Sequence, residues 1–384
     1  MSLTIGMFTD TYAPEVNGVV TSIAGTVDAL RRQGHRAIVV APAHGGGPDD
    51  DPDVFRFQST AFPFYPQFRM AFPLPAKLLA ALPRMPFDVI HAHSLFFVGC
   101  LGAYLAQLRR IPLFFTYHTR WTEYTHYLPV HERISHAQAV WISREYSNRC
   151  DRVIAPTAGM AELLHSYGVR TPIEVIPTGV DIQSFSGANS IQPEPVSSAG
   201  PVFLSVGRLA KEKNLDLLLD AFEKIADRIA GARLIVVGSG PDETHLRRRA
   251  STIGSGQRVH FAGLVNRAAL GAYYRAADFF LFTSTTETQG LVIVEALTHG
   301  LPVIAVDCPV VREIVPPEAG PLVPEDAELL ASAAIGLAGK GSRDHAARRQ
   351  AALKAAAPYS VDALTGRLVG LYETAGSFRA ARVL

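Results

Sequence analysis

Leu3-Thr4-Ile5-Gly6-Met7-Phe8, a helical apolar pattern over 19–33, and then Ala37-Ile38-Val39-Val40-Ala41 decide the fold of this chain. Both short runs are apolar without alternation, as strands covered on two faces are, and the 3.6-residue spacing between them supplies a crossover helix. Strand, helix, parallel strand is the unit of a doubly wound α/β sheet. The same alternation continues with a run at 89–91, a helix over 95–108 and a run at 113–117. After a polar stretch containing Pro and Gly at 186–200, a second series begins. Its runs fall at 202–206, 234–237, 259–261, 279–282 and 303–306, with a helix over 215–229. The expectation is an α/β protein of two similar domains, 1–185 and 201–360, joined by a linker at 186–200. The Ala- and Leu-rich text from Glu325 onward reads as closing helices, and 361–384 is assigned as a helix able to pack back on the first domain.

Composition excludes several classes. The 384 residues are 48% hydrophobic and 18% charged, too apolar for disorder and too many for one core. Lys plus Arg number 36 against 35 Asp plus Glu, so no global field draws the chain to nucleic acid. No apolar stretch approaches the roughly 18 residues of a spanning helix. The first residues enter a strand pattern without a secretory leader, which points to residence in the cytoplasm. Cys100, Cys150 and Cys308 form no C-x-x-C pair and read as reduced, buried residues. The acidic stretch 49–53 lies in a Gly- and Pro-rich loop, and no metal site is assigned.

Ligands of open parallel sheets gather beyond the carboxyl ends of the strands. After the first strand comes Asp10-Thr11-Tyr12-Ala13-Pro14-Glu15-Val16-Asn17-Gly18, where Gly18 opens a helix and would admit a phosphate, although an ordinary loop glycine reads the same way. After the run at 202–206, Arg208 and Lys213 share one strand-to-helix loop and suit a diphosphate leaving group. Glu287-Thr288-Gln289-Gly290-Leu291-Val292-Ile293-Val294-Glu295 places one carboxylate before a helix and one inside it. The backbone N–H groups near Gln289, Gly290 and Leu291 could meet an anion there. His91 and His93 at a strand end read as packed, hydrogen-bonded histidines, whereas His118 and His126 are even between a structural and a functional role.

Taken in order, FTDTYAPEVNGVVTSI, DVIHAHS, TYHT, VGRLAKEKNL and ETQGLVIVE resemble the retaining glycosyltransferases of family 4, which have the GT-B fold. The resemblance covers nearly the whole chain. The opening and FTYHTRWTEYTHYLP are most similar to bacterial diacylglycerol glucosyltransferases. It implies two Rossmann-like domains facing across a cleft, the first for the acceptor and the second for the nucleotide sugar. By motif, Gly18 would hold the donor diphosphate, Arg208 and Lys213 would neutralise it, and Glu287 would address the sugar. His118 would contact the transferred sugar, Glu295 the ribose, and Gln289, Gly290 and Leu291 would lie against sugar and phosphate. Thr288 and Gln289 stand where the family usually has Gly and an aromatic, which leaves the donor sugar open. No metal or other cofactor is required; the nucleotide sugar, UDP-glucose first, is a co-substrate.

The segment 54–86 interleaves seven aromatics, among them Phe62, Phe64 and Tyr65, with Arg56, Arg69, Lys77 and Arg84, and contains no Asp or Glu. Rings and cationic heads together suit an anionic membrane surface, although the same aromatics could fill a core. Asp10, Tyr12, Phe62, Phe64, Tyr65, Arg69, Tyr124 and His126 are assigned to the acceptor and membrane. The expected activity is transfer of glucose to a lipid such as diacylglycerol by an enzyme held at the inner face of the cell membrane. Two alternatives stay open: a transferase using GDP-mannose or another UDP-sugar on a different lipid or soluble glycan, and a sugar-nucleotide-binding protein without turnover. The oligomeric state is left open.

Overall fold

A computed structural model describes residues 2–43, 50–62, 65–71, 81–123, 132–185 and 200–381; at 61–62, 65–71, 132–133 and 376–381 the description covers backbone only. The chain forms two compact units, Met1–Gly179 with Val361–Leu384, and Val180–Ser360.

In the first unit β1 (Thr4–Phe8) is followed by a helix, Gly18–Arg32, then β2 (Arg36–Pro42) and β3 (Val54–Phe57). A hairpin of β4 (Ser59–Phe62) and β5 (Tyr65–Ala71) precedes β6 (Val89–Ala92), the helix Phe97–Arg109 and β7 (Leu113–Thr116). The helix Glu132–Ser147, β8 (Arg152–Ala155), the helix Ala158–Ser166 and β9 (Ile173–Val175) complete the series. Among the described residues the sheet is parallel, in the order β3-β2-β1-β6-β7-β8-β9. The order reverses between β1 and β6, where Phe8 stands beside Ala92, so the loops after these two strands flank the switch point. The helix Val361–Ala381 belongs to this unit. Its Leu364, Leu368 and Tyr372 are buried with Ile5, Met7, Ile23, Val27 and Leu30, each worth roughly 1.5–3 kcal/mol of apolar burial. Arg32 pairs with Asp362 at 2.8 Å beside that seam.

The second unit repeats the scheme. β10 (Val202–Val206), the helix Leu215–Arg228, β11 (Arg233–Val237), the helix Glu243–Thr252 and β12 (Val259–Gly263) form one half. The helix Arg267–Ala276, β13 (Phe279–Phe282), the helix Leu291–Thr298, β14 (Val303–Val306), the helix Pro309–Ile314 and β15 (Leu322–Val323) form the other. The parallel order β12-β11-β10-β13-β14-β15 has its switch point between β10 and β13. Two further helices, Ala327–Ala338 and Ser342–Ala356, close the unit.

The chain passes between units at Gly179/Val180 and returns at Ser360/Val361. Residues 180–185, read from sequence with the first domain, cluster with the second unit. Phe185 is 1% exposed, edge-on to His299 at 4.9 Å, and Val180 N–H donates to the Tyr359 carbonyl at 2.8 Å. Of the proposed linker, 186–199 lies outside the described residues. The aromatic-basic segment divides. Phe57 is fully buried in β3, Phe55 packs on the same core, and Arg56 donates to the carbonyls of Pro42 and Ala13. These three therefore serve the sheet edge.

Candidate functional site

Each unit presents its chemistry at the carboxyl ends of its strands, and each is built locally. In the first, Asp10 follows β1 and is 1% exposed. Its carboxylate accepts from Ser94 Oγ at 2.5 Å and from the Val98 N–H at 2.9 Å, and its own N–H donates to Ser94 Oγ at 3.0 Å. The positive end of the helix Phe97–Arg109 is thus occupied by the chain's own anion. Burial pushes the Asp10 carboxyl above its usual range, and these hydrogen bonds oppose the shift. Gly99 permits the approach: a Cβ there would stand 1.9 Å from the Ser94 carbonyl oxygen. Tyr12, 8% exposed, joins the core under Arg56, whose guanidinium lies 5.4 Å from its ring centre.

The other helix start beside the switch point differs. Asn17 Oδ1 caps the helix Gly18–Arg32 by accepting from the Val20 N–H at 2.9 Å, and a Cβ built on Gly18 would meet nothing within 4 Å. The described packing therefore does not require glycine here. Gly18→Ala is expected to leave stability unchanged or slightly raised, since alanine is the better helix former. Thermal melts of the two proteins check this; a clear drop in melting temperature would show that the glycine is needed by the fold.

His118 follows β7. Its Nε2 lies 2.9 Å from His93 Nδ1, and the two rings stack at 5.2 Å. Burial lowers His118 to about 4 and His91 to about 3, and lowers His93 well below the usual value, so all three are neutral at neutral pH. His91 is held by Tyr372 OH at 2.6 Å and Thr116 Oγ1 at 2.7 Å.

In the second unit the loop after β10 and the loop after β13 are joined. Thr283 Oγ1 donates to the Lys213 carbonyl at 2.9 Å, and Ser284 Oγ donates to the Glu212 carbonyl at 3.1 Å. A small recess lies between them, lined by Gly207, Arg208, Lys213, Thr283 and Ser284 among others. Lys213 Nζ forms a half-buried ion pair with Glu287, and Arg208 pairs with Glu212 at 3.1 Å. Gln289 is 4% exposed. Gly290 takes φ 71°, a left-handed turn that favours glycine, and leads into the helix Leu291–Thr298 with no side-chain cap. The first N–H groups of that helix thus have no capping side chain and point toward the start of the turn, an anion-favouring arrangement.

Glu295 lies one turn further on and is 3% exposed. Its two oxygens accept from Arg267 Nη1 at 2.7 Å and Tyr274 OH at 2.9 Å. Arg267 is fixed in turn by Ser184 Oγ at 2.8 Å. A carboxylate has about four lone-pair sites, and these two bonds take two of them. The structure thus joins Lys213 with Glu287 and sets Gly290 beside Glu287, with Leu291 opening the helix that follows. The side chains of Phe62, Tyr65 and Arg69, and the whole of Phe64, Tyr124 and His126, lie outside the described residues. Sequence reading passed over Ser94, Glu212, Arg267 and Tyr274. The first two stood inside quoted motifs; the last two are paired to Glu295 only by the tertiary fold.

Two doubly wound parallel units, each with polar residues gathered at its switch point, have the architecture of the GT-B fold. Residues 16–184 match the model of Glycosyltransferase Family 4 and residues 200–340 that of Glycosyl transferases group 1. An alpha-monoglucosyldiacylglycerol synthase of Streptococcus pneumoniae is 32% identical over 320 residues, 81% of this chain and 73% of that protein. A GDP-mannose-dependent alpha-mannosyltransferase of Mycobacterium tuberculosis is 30% identical over 94% of this chain and 95% of that protein. In three dimensions Anabaena Alr3699/HepE in complex with UDP and glucose aligns with a TM-score of 0.75 at 19% identity, over 97% of this chain and all of the other. The chain belongs to glycosyltransferase family 4, and within it is similar to the glucosyldiacylglycerol synthases.

Proposed function

We propose that the protein moves glucose, with retention of anomeric configuration, from UDP-glucose to a membrane lipid such as diacylglycerol. The observation that carries this reading is the Lys213–Glu287 pair at the second switch point, in a chain similar to two alpha-monoglucosyldiacylglycerol synthases, at 32% and 31% identity. Arg208 and Lys213 place positive charge where a departing diphosphate gains negative charge. Glu287, oriented by Lys213, accepts hydrogen bonds from sugar hydroxyls, and Glu295 with its remaining lone pairs takes the ribose. His118 lies against the transferred sugar. No protein nucleophile is invoked: the acceptor hydroxyl attacks on the face the diphosphate leaves, and the leaving oxygen takes its proton, so the enzyme chiefly orients and stabilises charge.

No helix among the described residues is long and apolar enough to cross a membrane. The reading holds the enzyme peripherally at the cytoplasmic face, through the aromatic and basic residues 62–69, an assignment that rests on their sequence. The mannosyltransferase similarity favours a second reading with GDP-mannose as donor. Labelled UDP-glucose, UDP-galactose and GDP-mannose, each offered with anionic liposomes containing or lacking diacylglycerol, separate the two. Label is expected in the organic extract only from UDP-glucose and only with diacylglycerol. Transfer from GDP-mannose alone would install the second reading, and nucleotide release with soluble sugars but no lipid label would replace the acceptor.

A further inference from the structure

A cleft of about 700 Å³ opens on the first unit between the helix Phe97–Arg109 and the end of the helix Glu132–Ser147. Leu113, the first residue of β7, lines it, which sets it toward the amino ends of the strands and away from the loops at the switch point. Its walls are apolar: Ala103, Ala106 and Leu113, with the ring of Tyr146, whose hydroxyl is spent on the Gly99 carbonyl at 2.7 Å. Its charge is of one sign. Arg110 and Arg149 line it and no described Asp or Glu does, and neither guanidinium has an ion-pair or hydrogen-bond partner among the described residues. Both arginines follow helix ends, but such an end carries roughly half a negative charge against a whole positive one on each guanidinium, so the cleft stays positive. Arg110 also stands there at a conformational cost. Its φ is 56°, a left-handed position where glycine usually ends a helix; among the described residues the other non-glycine with positive φ is Asn214, next to Lys213.

The surface around the cleft is apolar where a surface is usually polar. Phe97, Tyr104 and Leu108 are exposed and recur on one face of their helix, and Ile134 and Trp141, exposed too, share a face of the neighbouring helix. Single exposed apolar side chains are ordinary, but five on two adjacent helices beside an unpaired positive cleft mark a contact surface. β5 lies against the helix Phe97–Arg109, so this surface adjoins the aromatic and basic segment. We propose that the cleft is a headgroup site for an anionic phospholipid of a bilayer. Arg110 and Arg149 take the phosphate, for which a guanidinium is well matched, and the exposed rings and leucine enter the interface around it. A soluble phosphate would use the arginines and leave the apolar surface without a purpose. Binding here is a property of the first unit and does not need the transferase reading.

Flotation with phosphatidylcholine vesicles, containing or lacking phosphatidylglycerol and without nucleotide sugar or diacylglycerol, tests the site. The wild-type chain is expected to float with the anionic vesicles and to show a blue shift of Trp141 emission, assigned against Trp121, the second tryptophan, by Trp141→Phe. Arg110→Gly combined with Arg149→Gln is expected to keep the melting temperature, since glycine suits the left-handed position, and to weaken partitioning about twentyfold. Failure of the wild-type chain to float, equal binding to pure phosphatidylcholine, or unchanged partitioning of the double variant overturns the proposal. So does bound protein with Trp141 emission unshifted, which would put another face on the membrane. Displacement from the vesicles by glycerol 3-phosphate overturns it as well, because the cleft would then be a soluble-phosphate site. Absence of sugar transfer by a chain that still floats through these arginines overturns the transferase reading and leaves the headgroup site standing.

Discussion

Lys213→Ala is expected to lower kcat/KM for sugar transfer by about a hundred- to a thousandfold, with the fold of the second unit retained. The size follows from two jobs done by one ammonium. It stands with Arg208 in the loop after β10, where a departing diphosphate would gather charge. It also holds Glu287 across 74 residues of sequence, in a pair whose side chains are only 25% and 15% exposed. On the proposed function, removing the cation would take away charge stabilisation and would leave Glu287 without the partner that holds it toward the sugar. Glu287→Gln should lose a similar factor, and the double variant should fall less than about tenfold below the worse single one, because the two side chains act as one unit. Steady-state rates of the three variants, with circular dichroism as a control for folding, make the comparison. Additive losses would show that the pair does not act as a unit, and near-normal rates in both single variants would remove it from catalysis.

Acid is expected to open the first unit before the second. His91, His93 and His118 are held neutral by burial, at about 3, well below the usual value, and about 4 respectively, against 6.5 for an exposed histidine. The sign follows from where protons bind. As pH falls through 6.5 the unfolded chain takes up protons that the folded one refuses, so each histidine removes stability from there down to its own folded value. At about pH 5 the loss is about 2 kcal/mol for His91 or for His118 taken alone, and His93 adds in the same direction. Asp10 acts in the opposite sense: its raised value makes the folded state the better proton binder in the window just above 3.8. Hydrogen exchange of amides in β6 and β7 between pH 7 and 5 should show protection falling with decreasing pH, after correction for intrinsic exchange. A flat profile there would mean that the histidines are already solvated.

Much of this organisation is legible in the text of the chain because it is local. β1, β10, β13 and β14 are apolar runs covered on both faces; Gly18 opens the helix after the first of them, and Arg208, Lys213, Glu287 and Gly290 each lie in a loop that follows such a run. What escapes is of two kinds. β3, the short β9 and the β4–β5 hairpin do not have that pattern. Val54-Phe55-Arg56-Phe57 carries an arginine because it runs at a sheet edge, where a side chain can turn back to the carbonyls of Pro42 and Ala13. The alternation of rings and charge thus reads as a membrane surface although Phe57 belongs to the core. The second kind is partnership. Asp10 with Ser94 is 84 residues apart, Glu295 with Arg267 is 28 apart, and His93 with His118 is 25 apart. These pairs exist only once parallel strands are set side by side, and no spacing along the chain encodes them.

The return of the last helix to the first unit has a consequence for synthesis. Val180–Ser360 is one continuous stretch and can close on itself as soon as it clears the ribosome. The first unit, begun earlier, waits for residues made after it, because Leu364, Leu368 and Tyr372 cover Ile5, Met7, Ile23 and Val27. Vectorial translation usually matures domains from the amino end. Here the amino-terminal half is completed second, and until then one face of its sheet lacks its cover and His91 lacks the Tyr372 hydroxyl.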